Sequence, residues 1–183
     1  LKYLEGYVDD LKKLTDYPKV RDGFFEDLIM FLADLSPDRF QTRDGRRRAR
    51  AFAESCLEDL ARALNYTFDL ASTFGFSPAD LFAGDFLIPL IYFIFRQEMW
   101  MWCSDVTDGK LEEEMRKYVE ACVRGNAHIR RWHPDDVFEC LEILRERLFL
   151  QEVLDGIPSF PGRELLKVIG VKEIDGGDRN ERE

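Results

Sequence analysis

Phe86-Leu87-Ile88-Pro89-Leu90-Ile91-Tyr92-Phe93-Ile94-Phe95 decides the fold: ten consecutive residues without a charge. A membrane span needs roughly 20 such residues, so the run is too short to cross a bilayer. An apolar segment of this length with no polar face reads as a buried helix surrounded by other helices. The spacing predicts that this helix continues to Cys103. Asp85 stands where a cap would, and Pro89 falls in or just after the first turn, where a missing backbone donor costs little.

On both sides the chain carries the three- and four-residue apolar spacing of amphipathic helices. Leu4, Val8, Leu11 and Leu14 mark a helix over 1–14, and Phe24, Leu28, Phe31, Leu32 and Leu35 a second over 23–35. Ala53, Leu57, Leu60, Leu64, Phe68 and Ala71 trace the inward face of a long one over 44–73. Ser36-Pro37-Asp38 reads as a stop followed by a capping serine with proline at the first helical position, and Ser77-Pro78-Ala79-Asp80 repeats the pattern. Beyond the apolar run, 110–124 opens with Glu112, Glu113 and Glu114, whose charges complement the helix dipole. The segment 134–154 carries Val137, Leu141, Leu144, Leu148 and Phe149 inward, and a short helical turn is expected at 163–168. Only 167–174 offers a weak strand candidate. The expectation is an all-α protein: an irregular bundle of six or seven helices around a central apolar helix at about 86–103. One helical domain covers 1–174, with a flexible, charged tail over 175–183.

Composition supports one sizeable core. The 183 residues are 45% hydrophobic and 13% aromatic, with fifteen Phe and three Trp. A chain this long buries roughly 70% of the surface its unfolded form exposes, so it requires neither a disulfide nor a metal to fold. The net charge of −10 works against general attraction to nucleic acid or anionic membranes. Cys56, Cys103, Cys122 and Cys140 are far apart and lie inside expected helices, where Cys behaves as a small apolar residue. Free buried thiols point to a reducing compartment, and a cytoplasmic location is expected. No signal-peptide pattern is visible in the sequence, which opens at Leu1, and no membrane association is expected.

Arg43, Arg46, Arg47, Arg48 and Arg50 are the most unusual local feature. Guanidinium groups suit bidentate phosphate and carboxylate contacts, and five of them at a helix start oppose the dipole. They are candidates for binding an anion, a nucleic acid or an acidic partner; a solvated, charge-balanced helix start is the plainer reading. Arg124, His128, Arg130, Arg131, Trp132 and His133 form a second basic group, from which Arg130 and Arg131 join the candidate set. Helical ribonucleases of the HEPN type use an R-x(4–6)-H motif, whereas three residues separate Arg124 from His128 and eight separate it from His133. A Glu-x-x-His di-iron bundle site finds Gly125 and Arg130 where its glutamates belong.

The segment Glu58-Asp59-Leu60-Ala61-Arg62-Ala63-Leu64-Asn65-Tyr66, followed by Leu70-Ala71, Phe74-Gly75-Phe76 and Ala79-Asp80-Leu81, resembles the second half of the all-α nucleotide pyrophosphohydrolases of the dimeric dUTPase group. Glu26-Asp27-Leu28 through Asp34-Leu35 resembles the first half. The resemblance implies Mg²⁺ held by i,i+3 carboxylates, with Glu54, Glu58 and Asp59 among the ligands. The sequence departs from the pattern at Arg62, which stands where a metal-binding aspartate belongs, and its earlier helix lacks E-x-x-E.

Met99, Trp100 and Trp102 at the end of the apolar run are candidate interface anchors, since Trp and Met are enriched at protein contacts. Glu98 beside them reads as exposed at a helix end. No phosphate-cradling glycine loop or nucleophile motif occurs. No catalytic residue, metal or cofactor is assigned. The leading expectation is a non-enzymatic helical protein that acts by association, as a homodimer or as a small subunit of a larger complex. A nucleic-acid- or anion-binding module on the arginine cluster comes second, and a degenerate Mg²⁺-dependent pyrophosphohydrolase third.

Overall fold

A computed structural model describes residues 2–15, 20–77, 84–101, 109–154 and 158–172, and among them the chain is helical with no strand. Seven α-helices follow in order: α1 (Glu5–Leu14), α2 (Phe24–Leu32), α3 (Arg43–Thr73), α4 (Ile88–Arg96), α5 (Gly109–Arg124), α6 (Pro134–Leu154) and α7 (Gly162–Val168). Short 3₁₀ turns occupy Lys2–Leu4, Pro37–Arg39, Asp85–Leu87 and Met99–Met101. No helix among the described residues is long and apolar enough to cross a membrane.

The apolar run lies at the centre. Every residue from Ile88 to Ile94 is buried, and α4 packs against α3 on one side and α6 on the other. The helices α1 and α2 lie on α3, while α7 bridges α5 and α6. Aromatic edges lock the layers: Phe160 meets both Phe93 and Tyr118 with centroids 5.3 Å apart, at 81° and 71°. Tyr118 carries its own polar tip inward and satisfies it by donating to the Phe86 carbonyl at 2.7 Å.

The central helix is shorter than the sequence suggests. It ends at Arg96, the chain turns through Gln97 and Glu98, and a 3₁₀ turn resumes at Met99. Glu98 adopts φ +49, the left-handed backbone typical of a helix end, and its side chain is exposed, as expected. Apolar content marks burial, and the backbone breaks without changing it. Asp85 also departs from its expected capping role. It heads the 3₁₀ turn before α4, and its carboxylate accepts from Arg21 Nε at 2.5 Å and the Trp132 amide at 2.8 Å. Gly84 ahead of it has φ +78, and a Cβ there would fall 2.7 Å from the Phe24 ring. Only glycine fits.

The helix α3 starts where a cap allows. Thr42 has an extended backbone, and its Oγ1 accepts from the Gly45 amide at 3.0 Å. Gly45 lets the Pro37–Arg39 turn sit directly on this first turn, since a Cβ would lie 2.0 Å from the Arg39 carbonyl oxygen. Ser36 precedes that turn with extended backbone but makes no side-chain cap bond. The Ser77–Asp80 pattern falls mostly on 78–80, outside the described residues, as does the tail over 175–183. In α6, Val137, Leu141 and Leu144 face inward as expected, but Phe149 is 63% exposed. Leu148, one residue earlier, takes the inward position on that turn, which rotates Phe149 about 100° away.

Candidate functional site

The arginine cluster forms the first two turns of α3, and Arg43, Arg46, Arg47, Arg48 and Arg50 are all exposed. Arg43, Arg46, Arg47 and Arg50 share one face by their three- and four-residue spacing. Three of these four find partners within the fold. Arg47 pairs with Asp44 at 2.7 Å, Arg50 with Glu54 at 3.8 Å, and the Arg46 guanidinium lies 5.4 Å from the centroid of the Tyr3 ring. Arg48 projects differently and donates to the Ala33 carbonyl at 3.4 Å. Local acids and an aromatic ring thereby moderate the dipole conflict that the sequence raises.

The loop between α5 and α6 distributes the second basic group instead of gathering it. Arg130 donates to the Ile169 carbonyl, and Arg131, 68% exposed, lies 3.7 Å from Asp27. Trp132 is buried, its indole N–H donating to the Ala127 carbonyl at 3.0 Å. His128 stacks edge-on against Phe86, whereas His133 is exposed beside Asp135 at 3.3 Å. Below this loop sits the deepest carboxylate of the described residues, Asp85. Arg21 clamps it while also holding Asp27 at 2.6 Å. Burial holds the Asp85 carboxyl above its usual pKa, and the hydrogen bonds from Arg21 and the Trp132 amide offset only part of that rise. The sequence offers no local sign of this junction, because its members come from three separate stretches, around 21–27, 85 and 131–132.

A second polar cluster closes the end of α2. Asp34 accepts from Tyr92 Oη and Arg145 Nε, both at 3.0 Å, and from Arg96 Nη2 at 2.6 Å. Arg96 also donates to the Leu32 carbonyl at 3.2 Å. With Arg48 on the Ala33 carbonyl, arginines from α3 and α4 meet the last carbonyls of α2, where a helix dipole favours cations, while Arg145 from α6 meets the Asp34 carboxylate. These guanidinium groups are directed at the protein's own backbone and at Asp34. Their chemistry is structural.

The carboxylates expected from the pyrophosphohydrolase resemblance lie on the outer side of α3. Arg62 sits between Asp59 at 2.9 Å and Glu58 at 3.8 Å, and Glu54 accepts from Tyr7 at 2.6 Å. Among the described residues no group of three or more His, Cys, Asp or Glu is placed to hold a metal ion. The thiols of Cys122 and Cys140 are buried, and burial raises both pKa values, that of Cys122 to about 12. Neither is a thiolate near neutrality, the form that nucleophilic or metal-binding chemistry requires.

Of the expected interface anchors, Met99 is fully buried and Trp100 is half-buried against Phe95 at 6.1 Å. Trp102 lies outside the described residues. The large apolar side chains that reach solvent concentrate elsewhere, at the end of α6. Phe149, Leu150, Val153 and Leu154 are 63%, 45%, 61% and 73% exposed. An open groove runs between α6 and α7 beside them, with Ile143, Leu150 and Leu154 on one wall and the pair Arg147–Glu164, 3.2 Å apart, at its rim. No protein-family model, curated protein or solved structure matches this chain.

Proposed function

We propose that this protein acts by association, presenting the end of α6 to another polypeptide, either as a homodimer or as a small subunit of a larger complex. One observation carries the reading: the last two turns of α6 expose four large apolar side chains side by side, next to a groove. Apolar residues scattered singly over a surface are ordinary, whereas a contiguous patch marks a contact site. The free thiols Cys122 and Cys140 support a cytoplasmic setting for that contact.

Phe149→Glu with Leu154→Glu tests it. Both side chains already face solvent, so stability should change by no more than about 0.5 kcal/mol per site. In gel filtration of source-cell extracts to which the tagged 183-residue chain is added, the native sequence should elute well above its 21.5 kDa and the variant near its own mass. Elution of both as monomers would end the association reading.

A second reading, an anion or nucleic-acid contact at the start of α3, draws on the exposure of all five arginines there. Arg43→Glu with Arg47→Glu should then abolish salt-dependent retention on heparin; unchanged retention would dismiss it.

A further inference from the structure

The outward face of α6 continues past its apolar end. Stepping back from Phe149 and Leu150 by three or four residues gives Glu146, then Glu142, Glu139 and Asp135, all on one face and all exposed. The helix therefore shows solvent a single stripe, acidic over its first four turns and apolar over its last two. Its own cations do not neutralise the stripe: Arg145 turns inward to Asp34, and Arg147 is held by Glu164. Asp135 has His133 beside it at 3.3 Å. Among the described residues, none of Glu139, Glu142 and Glu146 pairs with a cation.

We infer that the occupant of this face is an amphipathic helix of a different polypeptide, apolar at one end and rich in Lys or Arg along the adjoining turns. The inference rests on the association reading above and gives the partner its chemistry. Four side chains present a few hundred Å² of apolar surface, short of the roughly 800 Å² per partner that a stable interface buries. The contact must spread, and along α6 it spreads onto carboxylates. A second copy of α6 brings only more carboxylates to that stripe, on a chain whose net charge is already −10. The C-terminal 173–183 cannot match it either, with five acids, two arginines and Ile174 as its one aliphatic side chain. A basic helix satisfies both halves. Its cations sit at the i, i+3, i+7 steps of Glu139, Glu142 and Glu146, and its apolar end enters the groove lined by Ile143, Leu150 and Leu154.

Two fluorescent peptides of about 18 residues, five turns of helix, test this. They share leucine positions on one face and carry either Lys or Glu at every polar position. By anisotropy at physiological salt, the lysine peptide should bind the full chain at least about tenfold more tightly than the glutamate peptide. Glu139→Lys, Glu142→Lys and Glu146→Lys together should reverse that preference. Glu5→Lys, Asp9→Lys and Glu58→Lys apply the same change in net charge on exposed positions of α1 and α3 and should leave the lysine peptide within about twofold of wild type, since salt screens exposed charges outside the contact.

If the remote triple variant weakens binding as much as the α6 variant, the attraction is diffuse and the inference fails. Equal binding of both peptides, lost in Phe149→Glu/Leu154→Glu, overturns the basic partner but leaves association intact. So does a dimer in sedimentation velocity that the same double variant dissociates while neither peptide binds. No peptide binding and no dimer, with the added native chain eluting at its own mass in source-cell extracts, removes the association reading itself.

Discussion

Asp34 holds a left-handed backbone, φ +57, at the point where α2 ends. Such a conformation strains any side chain, by roughly 1 kcal/mol, and aspartate tolerates it better than most. The surroundings secure it: Tyr92, Arg96 and Arg145 all donate to its carboxylate. Three substitutions separate the two effects. Asp34→Ala loses the carboxylate and keeps the strain, Asp34→Gly loses the carboxylate and relieves the strain, and Asp34→Asn keeps the shape and loses the charge. The site is 38% exposed, so solvent screening limits the charge contribution to about 1–2 kcal/mol. In urea melts, Ala should be the worst of the three, with Gly about 1 kcal/mol better. Equal loss for Ala and Gly would show that the backbone there is not strained. Nothing near position 34 in the sequence announces this role, since Arg145 stands 111 residues away. Asp85 taught the opposite lesson. Its position before an apolar helix suggests a cap, but the carboxylate instead turns inward to Arg21 and Trp132. Local pattern identifies a residue able to cap, and tertiary neighbours decide which amide it meets.

At the level of elements, periodicity reads well wherever one face is buried and the other wet. The long helix α3 shows its inward row in the sequence and begins at Arg43, within a residue of the expected start at 44. Its start is also where sequence and dipole disagree, because five arginines crowd the positive end. Thr42 is the one side chain that caps it, through the Gly45 amide. Thr42→Ala should cost about 1 kcal/mol. Thr42→Asp keeps the acceptor and adds a negative charge beside both the dipole and the arginines but loses the hydroxyl's donation to the Arg39 carbonyl at 2.9 Å, so its gain is read against Thr42→Ala: about 0.5–1 kcal/mol at low ionic strength. Denaturant melts at low and high salt check this: the Asp gain should shrink with salt, and the Ala loss should persist. A gain for Asp that ignores salt would mean the arginines play no part in it. Periodicity fails at α6 and α4 for opposite reasons. The final turns of α6 are apolar on two faces, so the pattern cannot tell Leu148, which packs inward, from Phe149, which does not. In α4 no face is polar, so nothing marks the break after Arg96. The candidate contact surface went unread for the first reason: an exposed apolar face looks like a core face until the core is seen to be full.

The whole molecule is organised so that ionisable groups lie deep in an apolar interior as well as on its surface. Cys122 and Cys140 sit in the α5–α6–α7 layer, and Tyr118 beside them is wholly enclosed. Burial raises the pKa of all three, Cys122 from 9.0 to about 12 and Tyr118 well above 10.0. The consequence for stability has a definite sign. In the unfolded chain the two thiols release their protons from about pH 9 upward, while in the folded chain they keep them, so the unfolded state binds fewer protons. The contribution of these thiols is therefore complete below pH 9 and falls as pH rises toward 12. The slope is about 1.4 kcal/mol per pH unit for each thiol that ionises only on unfolding. Urea melts between pH 8 and 10.5 under reducing conditions should show this alkaline decline. Cys122→Ala with Cys140→Ala starts from a lower stability, because it leaves cavities in a packed layer, yet its curve should be clearly flatter over the same range. Curves that differ in height and run parallel would mean that both thiols ionise within the fold. Water would then have to reach two thiols that are here fully buried, and the packing of α7 over α5 and α6 would need to open well before the protein unfolds.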